Sequence, residues 1–202
     1  MKREEQSGPD EDMSIVVSVK KGSVDEFEKL VEKYQKRMLN IAYRMTGSYE
    51  DACEVVQDAF LSAYRNLAAF KGMSRFSTWL CSIVINLSKN RKQQITTAQH
   101  HEQYSLDDPV EADGGSISRE VPSGEATIVE KLEKEETRKR VQDCIGRLEK
   151  EFREVIVLRD IQGFAYGEMA GMLDIAEGTV KSRLFRARDA LKDCLKKVLG
   201  EL

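Results

Sequence analysis

The sequence predicts an all-α protein with two small helical domains that are joined by a flexible linker. Apolar residues recur at steps of three and four along most of the chain, and the 202 residues include only three prolines. A polar stretch rich in Ser, Thr, Gly, Asp and Glu interrupts this pattern at 95–127 without a period of its own. Because so long an irregular stretch is rare inside a compact domain, we expect modules at 1–94 and 130–202 and an acidic linker at 95–129.

The N-terminal module is predicted to contain four helices. Asp51 follows Ser48 by three residues, as in a capping box, so Ser48 is the expected N-cap of the third helix. The core face of that helix is apolar, and its opposite face carries Glu54, Gln57, Asp58, Leu61 and Arg65. The predicted helices cover about 14–21, 24–45, 49–67 and 76–93, with a loop at 68–75.

The C-terminal module is also predicted to be helical, with helices at about 128–148, 153–162, 166–173 and 178–199. The last two are joined by the short stretch "DIAEG". A short helix, a tight turn containing glycine and a second, basic helix form a helix-turn-helix pattern. Such helix pairs also occur in bundles that bind nothing, so the pattern needs support from the residues on the second helix.

The last predicted helix provides that support. Val180, Leu184 and Leu191 lie on one apolar stripe, and Arg183 and Arg188 flank it. A solvated surface helix would explain the cations but not an aromatic ring among them. We therefore expect this opposite face to enter a major groove; it consists of Lys181, Ser182, Phe185 and Arg186.

A second basic segment, residues 70–94, is predicted to bind unpaired nucleic acid. No acid occurs between Asp58 and Glu102, and the segment mixes aromatic rings, cations and asparagines. Aromatic rings stack on bases, cations follow the phosphates, and asparagine can bind base edges. Most of its apolar residues have helical spacing and are expected in the core. The loop with Phe70 and its small neighbours is better suited to form a pocket for a base pulled from a duplex.

Composition and motifs exclude several other classes. Charged residues make up 33% of the chain, no apolar run is long enough for a bilayer, and the N-terminus does not resemble a signal peptide, so we expect a cytoplasmic protein without membrane insertion. The chain contains no metal-spaced His and Cys set, no paired carboxylates beside the basic helix and no phosphate-binding loop. We therefore predict no catalytic residue, metal or cofactor. His100 and His101, the only histidines, are expected to be exposed in the linker.

The four cysteines lie far apart and form no CxxC pair. We expect Cys53, Cys81, Cys144 and Cys194 to be reduced thiols that pack as small hydrophobic residues.

Three stretches, "DACEVVQDAFLSAYRNLAAFKG", "FSTWLCSIVINLSKNRK" and "GEMAGMLDIAEGTVKSRLFRARDALK", resemble the signature regions of an extracytoplasmic-function (ECF) sigma factor of the σE stress type. The resemblance covers about residues 14–94 and 130–199. It implies a first domain that binds core RNA polymerase and opens the −10 element, and a second that reads the −35 element as duplex. The implied partners are core polymerase (its β′ clamp helices and its β subunit), promoter DNA and an anti-sigma factor.

The resemblance also implies roles for individual residues. Phe70 and Asn86 match positions that hold a flipped −10 base. The chain departs from the family at Asn90, where many members have Asp, and at Ala165, where Ser or Thr often caps a helix that here also contains two glycines. The assigned residues are Glu54, Gln57, Asp58 and Leu61 for core polymerase; Phe70, Lys71, Ser74, Arg75, Trp79, Asn86, Lys89 and Asn90 for −10 DNA; and Lys181, Ser182, Arg183, Phe185, Arg186 and Arg188 for −35 DNA.

Two alternatives remain at this point. A free-standing regulator with a C-terminal helix-turn-helix and an N-terminal sensor or dimer domain would bind duplex DNA without polymerase, but it leaves the segment 70–94 unexplained. A nucleic-acid enzyme would need the catalytic or metal-binding motifs that the sequence lacks.

Overall fold

A computed structural model describes residues 9–102 and 128–200 of the chain. Within these ranges the backbone forms helices and turns and no strand. The N-terminal module consists of α1–α4 and the C-terminal module of α5–α8. The helices are α1 (Pro9–Lys20), α2 (Glu26–Thr46), α3 (Tyr49–Asn66), α4 (Phe76–Glu102), α5 (Ile128–Arg147), α6 (Lys150–Ile156), α7 (Tyr166–Leu173) and α8 (Glu177–Leu199), with a 3-10 turn at Leu67–Ala69 and a π-helical turn at Val157–Ile161.

The N-terminal module is a bundle in which α2, α3 and α4 pack against one another and α1 packs against α2. Its core forms because each helix turns one apolar stripe inward, with Leu30, Met38, Ile41 and Leu80 fully buried. The predicted cap of α3 is confirmed, since the Ser48 side chain accepts a hydrogen bond from the Asp51 backbone N–H at 3.2 Å.

Helix α4 is longer than predicted. The expectation of an irregular linker from residue 95 is wrong for 95–102, which continue the helix to Glu102. The stretch "ITTAQHHE" contains neither proline nor glycine, so no residue in it stops a helix that is already formed. His100 and His101 thus lie on helical backbone. The rest of the predicted linker up to residue 127 lies outside the described residues.

A buried arginine joins the first two helices of the C-terminal module. Arg153 of α6 donates hydrogen bonds to the carbonyl oxygens of Ile145, Gly146 and Leu148 at 3.1, 2.5 and 2.8 Å. The last carbonyls of a helix have no partner within it, so this guanidinium satisfies the end of α5. The predicted helix at 153–162 begins earlier, at Lys150, and ends in the π-helical turn.

The turn between α7 and α8 differs from the prediction in one detail. The expected turn glycine, Gly178, lies inside α8. The left-handed position is occupied by Asp174, with φ 53°, and its backbone N–H donates to the Ala170 carbonyl. A short polar side chain tolerates this conformation better than most, so aspartate can end α7 without a glycine.

The prediction of four reduced cysteines is wrong for two of them. Cys144 of α5 and Cys194 of α8 form a disulfide, with their Cα atoms 5.8 Å apart. Cys81 is a buried free thiol, as expected, whereas Cys53 is free but exposed. The two bonded residues are 50 positions apart in sequence, a separation at which cysteine spacing alone indicates no pairing.

The two modules pack against each other through apolar, polar and cationic contacts, and one cluster of buried hydrophobic residues runs through both. The Arg37 guanidinium of α2 lies 4.8 Å from the centroid of the Phe164 ring, and its Nε donates to Gln162 at 3.1 Å. Further along α2, Arg44 donates to the Gln142 side chain of α5 at 2.9 Å. These contacts cover part of the N-terminal module with α5, α7 and the π-helical turn.

Candidate polymerase and promoter interfaces

The exposed face of α8 has the composition of a duplex-reading surface. Val180, Leu184 and Ala187 are buried against the preceding helices, and this anchoring turns the opposite face outward. Phe185 is 78% exposed there, beside the exposed Arg186. Within the described part of the chain, Arg186 forms no ion pair, so its five N–H donors are available to an external acceptor.

The other polar residues predicted on this helix have partners inside the C-terminal module. Lys181 pairs with Glu177 at 2.8 Å, which raises the pKa of the Lys181 ammonium, first through the hydrogen bond and then through the charge. The half-buried Arg183 pairs with Glu151 at 3.2 Å. Ser182 donates to the Thr179 carbonyl at 3.0 Å.

Arg188 is held by two hydrogen bonds. Its Nε and Nη2 donate to the two carboxylate oxygens of Asp160 at 3.0 and 2.6 Å, and the hydrogen bond raises the pKa of the guanidinium. The predicted cations of α8 therefore form two groups. Arg186 has no anionic partner among the described residues. Lys181, Arg183 and Arg188 are oriented by carboxylates, with which DNA phosphates would have to compete.

The polar face of α3 borders an apolar groove. Gln57, Asp58 and Leu61 are exposed, as the helical spacing predicts. Between α2 and α3 runs a groove of about 830 Å³, whose wall includes Leu61 and Tyr64. Glu54 is exposed but pairs with Arg91 of α4 at 2.7 Å. Acidic and amide groups beside an open apolar groove suit a protein partner better than DNA.

The Phe70 ring is not an open platform in this structure. It is 5% exposed, stacks on Trp79 at 4.9 Å between ring centroids and meets the edge of Phe76 at 6.0 Å. The Phe70 carbonyl accepts a hydrogen bond from Lys20 at 2.6 Å. The expected loop rim lies around this ring, because Lys71, Ser74 and Arg75 are exposed. Gly72 provides the turn in this loop, with φ 71°.

Helix α4 presents a separate polar stripe. Trp79, Asn86 and Asn90 follow at steps of seven and four, so their side chains leave the helix on one side. Both asparagines are exposed, and Trp79 is partly exposed. Two amides beside an indole face can bind base edges and stack on a base, respectively.

Lys89, another predicted −10 residue, faces the C-terminal module instead of solvent. Its ammonium lies 3.1 Å from the carboxylate of Glu154, a residue of α6 that is 3% exposed. Near this pair, the pKa of Lys92 is lowered to about 8, first by burial and then by the positive charge of Arg153. Arg153 also donates to the Met45 carbonyl of the N-terminal module at 3.2 Å.

Sequence reasoning missed Glu154 and Arg153 as interface residues. Both lie in an apolar stretch, "EFREVIVL", where two buried charges could have indicated partners elsewhere in the fold. The pattern does not say which cation is opposite, because Lys89 is more than sixty positions away along the chain.

Neither a metal-binding cluster nor a membrane-spanning helix is present among the described residues. No group of three or more His, Cys, Asp or Glu side chains is arranged there to hold a metal ion. None of the helices in 9–102 and 128–200 combines the length and the apolar character that a membrane crossing requires.

Comparison with known proteins agrees with this division of surfaces. Residues 30–96 match sigma-70 region 2, and residues 138–191 match sigma-70 region 4. The first match contains the polar face of α3 and the polar stripe of α4, and the second contains the exposed face of α8 around Phe185 and Arg186.

Two curated relatives match most of the chain. The RNA polymerase sigma-H factor of Pseudomonas aeruginosa is 31% identical over 95% of this chain and 97% of its own length. The ECF RNA polymerase sigma-E factor of Escherichia coli K12 is 37% identical over 89% of this chain and 92% of its own length.

Solved structures show a similar fold. CnrH, solved in complex with the cytosolic domain of CnrY, is 24% identical with a TM-score of 0.65 and covers 91% of this chain and 96% of its own. The sigma factor RpoE of Bartonella quintana, solved with the anti-sigma factor NepR, is 21% identical with a TM-score of 0.63 over 85% of this chain and 97% of its own. The chain belongs to the ECF RNA polymerase sigma factors of the sigma-70 family.

Proposed function

We propose that this chain is a promoter-recognition subunit that acts with core RNA polymerase: the C-terminal module reads the −35 element as duplex and the N-terminal module opens the −10 element. The observation that carries this proposal is the reading face of α8, where Phe185 and Arg186 are exposed on a helix whose other side is anchored in the core. Bond making stays with the polymerase, and the chain contributes binding and base recognition.

Arg186 is the proposed base-reading residue. Its planar guanidinium can hold the O6 and N7 atoms of guanine together, a contact worth about 1–3 kcal/mol of discrimination. Lys181, Ser182, Arg183 and Arg188 are proposed to position the helix through phosphate contacts. Phe185 is proposed to pack on a thymine methyl or the sugar edge at the groove wall.

The α3 face is the proposed docking surface for the β′ clamp helices. Glu54, Gln57 and Asp58 supply charged and amide contacts, and Leu61 enters the partner's apolar surface beside the groove. The residues proposed to bind −10 DNA form two sets. In the first set, Asn86, Asn90 and Trp79 receive the flipped base. In the second set, Lys71, Ser74 and Arg75 contact the backbone of the opened strand. Lys89 joins this second set once its ion pair with Glu154 is broken.

The location and the remaining partners are proposed by likeness to relatives. The chain acts in the cytoplasm, makes contact with the polymerase β subunit and is held inactive by an anti-sigma factor. Two structural neighbours were solved with a partner of that kind or with a cytosolic domain.

Run-off transcription with purified core polymerase tests the proposal. We expect promoter-specific transcripts only when chain and core are both present, and loss of these transcripts in Glu54→Lys/Asp58→Lys, because the double variant reverses the charge of the docking face. Among the described residues, the ion pair that this variant loses is the exposed one between Glu54 and Arg91, so the free energy of unfolding should change by about 1 kcal/mol or less.

A matched control makes the same kind of charge change outside the docking face. Glu136→Lys alters an exposed residue of α5 whose partner, Arg140, lies on the same helix. That variant should still support transcription. Full run-off activity of Glu54→Lys/Asp58→Lys would contradict the proposed docking face.

A further inference from the structure

The disulfide between Cys144 and Cys194 connects the two longest helices of the C-terminal module. The match to sigma-70 region 4 ends at residue 191, so Cys194 lies outside it. The link is close to the C-terminal ends of both helices and far along α8 from the reading residues Phe185 and Arg186.

The C-terminal part of α8 has little packing besides this link. The fully buried residues of α8 are Val180, Leu184 and Ala187, all in its first half. Beyond them, Leu191, Leu195 and Val198 are only half-buried. A covalent connection to α5 therefore holds a segment that the apolar core holds weakly.

The two sulfurs border a crevice that small solutes can enter. The crevice measures about 410 Å³ and is lined by both cysteines together with Arg147 and Lys197, while Glu149 and Asp193 also line it. Cys144 is buried and Cys194 is half-buried, so Cys194 is the more accessible of the two residues.

The other two cysteines do not combine an accessible thiol with a bonded second cysteine. Cys81 is fully buried, and burial raises the pKa of its thiol to about 12, which keeps it protonated and inert. Cys53 is exposed, but within the described residues no second cysteine is bonded to it. Only Cys144 and Cys194 combine access with a resolving partner.

We propose that Cys144 and Cys194 form a reversible dithiol–disulfide site that hydrogen peroxide oxidises. The Cys194 thiolate attacks one peroxide oxygen; a sulfur–oxygen bond forms, the oxygen–oxygen bond breaks and hydroxide leaves. The Cys144 thiolate then attacks the sulfenic sulfur; the disulfide forms, the sulfur–oxygen bond breaks and hydroxide leaves, to be protonated to water. In sum, two thiols lose two electrons and two protons, and one peroxide becomes two waters.

Oxidation at this site stabilises the C-terminal module without covering its reading face. The bond closes a segment with a sequence separation of 50 between its ends and so restricts the unfolded chain. Reversibility rests on the proposed cytoplasmic location, because glutathione and thioredoxin there keep accessible thiols reduced. The thiol measurements below need no polymerase, so their failure is distinguishable from failure of the proposed function.

The test uses the full chain with Cys53→Ser, which removes the exposed competing thiol. The reduced protein is treated with hydrogen peroxide, unfolded, alkylated with iodoacetamide and digested without reductant. We expect one alkylated cysteine, Cys81, and a linked peptide pair containing Cys144 and Cys194. Dithiothreitol should restore three alkylated cysteines. Three alkylated cysteines after peroxide, or a link that involves Cys81, would overturn the proposal.

Thermal unfolding supplies an independent readout. Reduction should lower the Tm of the Cys53→Ser protein by roughly 10 °C, as expected for a loop of this size. The matched variant Cys53→Ser/Cys194→Ser should melt at the same temperature with and without dithiothreitol. A reductant-dependent Tm that persists in the matched variant, or an unchanged Tm in Cys53→Ser, would contradict the site.

Discussion

Helices α8 and α4 carry the two sets of residues predicted to bind DNA, and the structure presents them differently. On α8, the Phe185 ring and Arg186 point to solvent from the half of the helix whose opposite side is buried in the core. On α4 and the loop before it, Phe70 lies under Trp79 and Lys89 pairs with Glu154 of the other module. The face proposed to read duplex DNA is preformed, whereas the surface proposed to open the strands is partly engaged in contacts within the protein.

The difference follows from what each surface has to bind. A major groove offers its base edges without rearrangement, so a rigid helix face can meet it directly. A flipped base has to leave its stack first, and a pocket built for it can stay closed until then. We therefore expect the interface between the modules to affect −10 contacts much more than −35 contacts.

The largest expected effect is on the free energy of unfolding, and it distinguishes a packing residue of the N-terminal module from a base-binding one. Phe70→Ala should lower the free energy of unfolding by about 3–5 kcal/mol, because the ring is buried against two other aromatic rings. Asn86→Ala should leave the melt unchanged, since Asn86 is exposed, and should reduce the permanganate reactivity of the −10 bubble. Urea unfolding and footprinting of the holoenzyme measure the two effects. A normal bubble in Asn86→Ala would remove this residue from the base pocket.

The contact between the modules should open when Glu154 loses its charge. Glu154→Gln leaves the mostly buried Lys89 without its carboxylate, a loss of about 3–5 kcal/mol for a buried pair. We expect a larger radius of gyration in small-angle X-ray scattering. Glu151→Gln is the matched control, because its pair with Arg183 lies within the C-terminal module. An unchanged radius in Glu154→Gln would mean that this ion pair does not hold the modules together.

Substitution of two arginines of α8 should affect DNA binding in different ways. Arg186→Ala should flatten the preference among −35 variants at one base pair by about 1–3 kcal/mol, because its guanidinium is available to a base. Arg188→Ala should weaken all variants alike and reduce the salt dependence. Asp160→Asn is the matched control for Arg188, since it removes the carboxylate partner and keeps the cation. A −35 library at two salt concentrations measures all three variants; an unaltered base preference in Arg186→Ala would place the reading contact elsewhere.

A smaller effect concerns the helix before the reading helix. Gly171 lies inside α7, and a Cβ there would meet no atom within 4 Å. Gly171→Ala should therefore raise the free energy of unfolding by about 0.5–1 kcal/mol. Gly163→Ala should instead destabilise, because Gly163 has φ 78°. Thermal melts compare the two; stabilisation by both would mean that helix propensity is not the cause.

The smallest effect is a pH dependence at the interface between the modules. Burial lowers the pKa of Lys92 to about 8 from an ordinary value of 10.5, so between these values the unfolded chain binds more protons. Stability should rise with pH across this range and be lowest below pH 8. Because Lys92 is half-exposed, we expect less than about 1 kcal/mol. Lys92→Gln should remove this slope in urea unfolding; an identical slope in the variant would assign it to another group.

The sequence was most informative where a single helix carries the signal. The helix-turn-helix, the Ser48 cap and the outward face around Phe185 follow from spacing of three and four residues, and all three are confirmed. Periodicity describes one helix at a time. It predicts the exposure of Phe185 correctly, because no neighbouring helix of the described residues covers that face.

Features that join distant parts of the chain were not predictable in this way. The burial of Phe70 depends on Trp79 from the next helix, and the pairing of Lys89 with Glu154 depends on how the modules meet. The disulfide joins residues whose closeness results from the packing of α5 on α8. Nor did composition show that α4 would continue past residue 94, since polar residues can extend a helix as well as end it.

Footprinting of one promoter fragment, with and without core polymerase, tests most directly the claim that the chain acts as a polymerase subunit. We expect protection of the −35 element and permanganate reactivity at the −10 element only when both core and chain are present. The chain alone should protect neither element, because one helix-turn-helix buries little surface and the strand-opening face is engaged with the C-terminal module. Sequence-specific protection by the chain alone, unchanged by core polymerase, would contradict this account and identify a free-standing regulator.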